Sequence, residues 1–188
     1  MIKFKFKLLG ALMLSVAACM PVFAAEVSGD AEATLRQAMQ EAVWPGEMVK
    51  AADQYEQAFP GGDWIDAART LQRRAKASLV MLGRKDIGLY PSSVARLSAT
   101  TGPGAMARQA LLGDSEAART LAHSLIQSAP SRAVGWLQWA TALGNEQAAY
   151  ELAVHFREQD QPVLASQYEA RAVALGYQPP TVLDHIRK

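Results

Sequence analysis

The 188-residue chain has a single cysteine, Cys19, and only three histidines. One thiol excludes an intrachain disulfide and a thiolate-rich zinc site. His123, His155 and His185 stand far apart, and none has a partner at a metal-ligand or catalytic-triad spacing. The sequence also lacks a nucleophile elbow, a phosphate loop and an HExxH motif. Nor does it set a glutamate in the surroundings that a helical transglycosylase-like envelope enzyme requires. The sequence therefore assigns no catalytic residue, no cofactor and no metal ligand, and a non-enzymatic role is expected. Charge of one sign is lacking too. Nineteen Lys and Arg face eighteen Asp and Glu, which removes the long-range field that a nucleic-acid partner would call for. No segment sustains period-two alternation, so no sheet is expected.

Half of the residues are hydrophobic, enough to bury a core. The first apolar run does not belong to it. Lys3, Lys5 and Lys7 precede an uncharged stretch from Leu8 to Cys19, then Pro21 and Val22-Phe23-Ala24. This is the pattern of a secretory signal peptide, with cleavage expected after Ala24, and the run is short for a membrane span. Val16-Ala17-Ala18-Cys19 also reads as a lipobox, in which Cys19 is lipidated and starts the mature chain. The apolar Met20-Pro21-Val22-Phe23 that follows is unusual for a lipoprotein tether. The expectation is an exported, periplasmic protein, with an outer-membrane lipoprotein as the alternative; a membrane is a partner only through Cys19. Removing residues 1–24 leaves 16 basic against 18 acidic residues and no cysteine.

The strongest signal is an internal repeat. Gly113-Asp114-Ser115-Glu116-Ala117-Ala118-Arg119-Thr120-Leu121-Ala122 returns 31 residues later as Gly144-Asn145-Glu146-Gln147-Ala148-Ala149-Tyr150-Glu151-Leu152-Ala153. Trp136 to Gly144 returns 32 residues later as Tyr168 to Gly176. Glycine after leucine suits the left-handed end of a helix. Asp114 and Asn145 suit the cap of the next one. Paired alanines admit close helix approach, and Leu121 and Leu152 fall on the same face. Breaks at Ala129-Pro130-Ser131 and Gln161-Pro162 make each copy a helix, a turn and a helix.

The aligned Ala, Leu, Gly and aromatic positions over residues 105–177 resemble the Sel1-like repeat, a relative of the tetratricopeptide repeat. The resemblance implies an all-α solenoid of antiparallel helix hairpins, here with roughly eight or nine helices. It also implies a scaffold or adaptor role of the kind found in bacterial envelopes. Pro130 and Pro162 stand where that family usually has an inter-helix glycine.

Ahead of the repeats, helices are expected over 30–43 and 47–59. The longest runs from a capping-box-like Asp63-Trp64-Ile65-Asp66 to Leu82. A loop from Arg84 to Pro91 follows, with Ile87, Leu89 and Tyr90 as the residues that could order it, then a short helix capped by Ser92 or Ser93 and ended by Gly102-Pro103-Gly104. Residues 25–104 are expected to cap one end of the stack formed by 105–188, and residues 182–188 the other.

Two groups are candidate partner-binding residues. Arg69, Arg73 and Lys76 form a basic strip on the long helix, suited either to an anionic glycan, lipid head group or acidic protein, or simply to solvent, with Asp66 near Arg69. Trp136 aligns with Tyr168, which marks an aromatic position of the repeat. Trp139 aligns with Arg171, however, and Tyr150 with Arg119. An arginine at the equivalent place implies access to water. Trp139 and Tyr150 are then either exposed hot-spot aromatics or fillers of gaps specific to one repeat. A protein or peptide is the expected partner.

Overall fold

The computed structural model describes residues 22–95 and 97–178, with side chains from residue 29 onward. Cys19, most of the expected leader and the expected cap at 182–188 lie outside these residues. Among the described residues there are eight α-helices and no strand: α1 (Val22–Glu41), α2 (Pro45–Ala58), α3 (Ile65–Leu82), α4 (Gly102–Leu111), α5 (Ser115–Leu125), α6 (Pro130–Ala142), α7 (Glu146–Glu158) and α8 (Pro162–Ala174). No helix among them is long and apolar enough to cross a membrane. The fold is the all-α stack of helix hairpins that the repeat implies: α5 packs on α6 and α7 on α8, with α4–α5 and α6–α7 contacts joining successive units.

Local chemistry sets the repeat boundaries. Gly113, Gly144 and Gly176 adopt φ of 104°, 97° and 105°. At Gly144 the helix closes with Gly144 N–H donating to the Thr141 carbonyl and Asn145 N–H reaching back to Ala140, at 3.1 and 3.0 Å. This pair of bonds is the Schellman arrangement, and it needs a left-handed residue. The next residue then opens the following helix. The Asp114 and Asn145 side chains accept the backbone N–H of Ala117 and Ala148 at 2.9 and 2.8 Å. Pro130 and Pro162 sit in the first turns of α6 and α8, where a missing N–H costs nothing.

Several boundaries differ from the sequence reading. α1 extends back to Val22, so the expected cleavage point after Ala24 falls in its first turn. α3 starts after Trp64 with no side-chain cap; instead the Trp64 N–H donates to the buried Tyr55 hydroxyl at 3.1 Å, and that hydroxyl donates to Glu32 at 2.6 Å. Gly102-Pro103-Gly104 opens α4 rather than ending a helix. The expected helix before it is reduced to one 3₁₀ turn, Pro91–Ser93. The connection from 83 to 101 is held by its side chains: Ile87, Leu89, Val94 and Ala99 are buried in the main core with Trp136, Trp139 and Leu152. It crosses α6 at Gly135, where a Cβ would stand 2.6 Å from the Gly88 carbonyl oxygen, and the Gly88 N–H donates to Gln138 Oε1 at 2.7 Å.

The helices before α4 have small cores of their own, around Met39, Ala52, Tyr55 and Ala68 and around Met48 and Ala75. They are joined to the repeats at the C-terminal end of α4. Ser78 Oγ donates to the Leu111 carbonyl, Arg74 to that of Leu112, and Arg108 to that of Ala42. Burial lowers the pKa of Arg108, with the nearby Arg74 charge adding to the effect. Val43, Ile87 and Leu89 lie in the same core cluster as the repeat residues, so that core continues across residue 104.

Candidate functional site

Two of the concave surfaces among the described residues lie on the repeat hairpins. The first is a groove of about 380 Å³ between α5, α6 and α7. Buried alanines at 118, 122, 148, 149 and 153 draw these helices together and leave longer side chains to form its walls. Its floor is apolar, from Val134 and Leu137 of α6 and Val154 of α7, with Ile126 at the end of α5. Ile126 is 45% exposed, a large hydrophobe facing water. Tyr150 closes one end, half-buried and stacked on Tyr177 with 4.4 Å between ring centres.

The groove's rim is polar and ordered. Glu151 takes Arg119 Nη1 at 3.1 Å and stands 2.7 Å from His123 Nε2. His155 and Glu158 lie further along. Arg119 also contacts Glu116, so one arginine bridges carboxylates from both repeat copies. Asn145 adds another cross-copy link, donating to Glu116 Oε1 at 2.6 Å. The groove is thus an apolar trough bordered by Glu151, which is held by Arg119 and His123, and by Glu158.

The second is a cleft of about 340 Å³ between α6, α8 and the start of the 83–101 connection. Arg84 holds Asp86 through two bonds, at 3.0 and 2.6 Å. That guanidinium keeps the Asp86 carboxyl below the usual carboxylate range. Tyr168, stacked on Phe156 at 5.4 Å, has its hydroxyl pKa raised by burial. Lys85, Gln138, Thr141, Gln167 and Arg171 also line it.

Of the two readings open for Trp139, the structure shows the gap filler and rules out the exposed hot-spot residue. Trp139 is fully buried, and its indole nitrogen donates to the Ala110 carbonyl at 2.8 Å. It fills the seam between α4 and α6 and cannot contact a partner in this state. Arg171 reaches water because it lines the open cleft between α6 and α8; the alignment compared two seams that are filled differently. Trp136, the aromatic position shared by both copies, is buried as expected. Tyr150 does line the groove. In the basic strip Arg69 pairs with Glu56 at 2.9 Å, not with Asp66, while exposed Arg73 donates only to the neutral Thr70 Oγ1 at 3.0 Å. Lys76 is exposed. The strip and the groove share no residue. Cys19 lies outside the described residues.

Ile126, Val134, Leu137 and Val154 carry no signal in the sequence beyond ordinary apolar spacing. The groove emerges only when α5, α6 and α7 are placed together. Among the described residues no group of three or more His, Cys, Asp or Glu side chains is placed to hold a metal ion. No family model matches the chain, and no curated protein or solved structure matches it either.

Proposed function

We propose that the protein is an exported helical-repeat adaptor that holds a segment of a partner protein in the α5–α6–α7 groove. The observation that carries this reading is the apolar trough under an exposed Ile126, bordered by Glu151 and Glu158. An apolar side chain of the partner, desolvated against Val134, Leu137 and Val154, supplies the anchor. A basic residue beside it meets Glu158, which has no ion pair among the described residues, and this sets orientation and association rate more than affinity. The likeness of residues 105–177 to Sel1-like repeats, typically scaffolds and adaptors, supports the same role. Export rests on the pattern of residues 1–24, and a periplasmic location on plain cleavage after Ala24. Lipidation at Cys19 would instead make the protein an outer-membrane scaffold, and the mass of the exported chain separates the two. The Arg69–Glu56 ion pair leaves only Arg73 and Lys76 of that strip for a glycan, which favours the groove over it.

Selection from a displayed random-peptide library tests the proposal. The selected peptides should share an apolar anchor flanked by Lys or Arg. Ile126→Glu and Val154→Glu should each weaken their binding by about tenfold or more, equivalent to about 1.4 kcal/mol. Selected peptides without an apolar anchor, or equal affinity for both folded variants, would refute the groove as the site.

A further inference from the structure

The cleft between α6 and α8 has a counterpart one unit earlier, and the two seams differ at defined positions. Leu112-Gly113, Leu143-Gly144 and Leu175-Gly176 end α4, α6 and α8 alike. Ala110 therefore corresponds to Thr141, Trp139 to Arg171 and Gly135 to Gln167. In the α4–α6 seam, Trp139 occupies the space and bonds to Ala110, while the Gly88 backbone lies against Gly135. In the α6–α8 seam the corresponding Thr141, Arg171 and Gln167 are all lining residues of an open cleft. The cleft is the seam without its tryptophan.

What replaces the indole is positive charge. Arg84, Lys85 and Arg171 line the cleft against one carboxylate, Asp86. Arg84 is held by Asp86, but neither Lys85 nor Arg171 forms an ion pair with a described residue. The Tyr168 hydroxyl lies beside Gln138, adding neutral hydrogen-bonding groups. At about 340 Å³ the space suits a molecule of monosaccharide size.

We propose that the α6–α8 cleft binds a small molecule bearing a carboxylate or a phosphate, with Arg171 as its principal contact and Lys85 supplying further positive charge, Arg84 being balanced by Asp86. A guanidinium donates two parallel N–H bonds to either oxyanion, and Arg84 is already oriented by Asp86. This site is separate from the peptide groove, and either can fail without the other.

An amide chemical-shift titration of the full chain, with inorganic phosphate and with glucuronate as probes, tests the proposal. At least one probe should give saturable shifts at Gly88, Thr141 and Arg171 with a Kd of about 1 mM or tighter, weakening as chloride is added. Phosphate alone would identify a phosphate-bearing ligand, and glucuronate alone a carboxylate. Arg171→Gln should weaken binding about tenfold, and Arg69→Gln should leave it unchanged. Arg171→Trp restores the residue of the preceding seam; it should abolish binding and preserve or raise the thermal midpoint, because the indole can reach the Thr141 carbonyl as Trp139 reaches Ala110. Absence of saturable shifts for both probes would overturn the proposal, and so would Arg171→Gln binding like the unmodified chain. If Arg171→Trp does not fold, Arg171→Gln alone decides.

Discussion

The indole N–H of Trp139 donates to the main-chain carbonyl of Ala110 at 2.8 Å, tying α6 to the last turn of α4. The two carbonyls that follow are also taken, Leu111 by Ser78 and Leu112 by Arg74, both from α3. The C-terminus of α4 is thereby bonded from two sides, by the repeats and by the helices that precede them.

Trp136 gives an internal contrast. It is equally buried, but its indole nitrogen finds no acceptor among the described residues. Replacing either tryptophan by phenylalanine opens a similar space, so the difference between them isolates the hydrogen bond. Trp139→Phe should lower stability by about 1 kcal/mol more than Trp136→Phe, since only the former loses a satisfied donor. Urea midpoints of the two variants check this; equal losses would mean that the Trp139–Ala110 bond contributes nothing.

Asn145 stands where the first copy has Asp114, and both cap the helix that follows. Asn145 also donates its amide to Glu116, while only 4% exposed. An aspartate there would keep the cap but place two carboxylates in contact with little water. Asn145→Asp should therefore cost about 1–3 kcal/mol at neutral pH, through a lost bond and a like-charge pair. The loss should shrink as the pH falls toward the carboxylate range, where one of the pair takes up a proton. A thermal-melt series against pH measures it, and a pH-independent loss would rule out the like-charge pair as its cause.

Gly135 and Gly144 separate two reasons for glycine. At Gly144 an added Cβ meets nothing but would sit at φ 97°, so Gly144→Ala should cost about 1 kcal/mol or more from backbone strain alone. At Gly135 the backbone is helical and the obstacle is the Gly88 carbonyl. Gly135→Ala should displace the 83–101 connection, raising amide exchange at Gly88 and Leu89 while α7 and α8 remain protected. Unchanged exchange there would show that the connection does not depend on that contact.

Features set by residues adjacent along the chain are legible in the sequence. The glycine ends, the Asp114 and Asn145 caps and the helix–turn–helix copies follow from local bonds. Features set by distant segments are only partly so. The 83–101 connection is half legible: Ile87 and Leu89 are buried as the loop's apolar residues suggest, but Tyr90 faces water, and Val94 and Ala99 are buried where a short helix is expected. Trp139 defeats the repeat alignment for a related reason: alignment matches positions, whereas burial depends on what fills each seam. Tyr150 does stand at a groove, but the groove itself comes from Ile126, Val134 and Val154, which only the packing of three helices brings together.

Occupation of the α5–α6–α7 groove by a partner segment is tested most directly by a map of backbone amide shifts when a selected peptide binds the full chain. The large shifts should fall on residues 123–137 and 150–155, with Ile126, Val134 and Val154 among them, while α3 and the cleft residues Arg84, Lys85 and Arg171 stay unperturbed. Shifts concentrated on α3 around Arg69 and Arg73, or spread without reference to the groove, would contradict the adaptor reading.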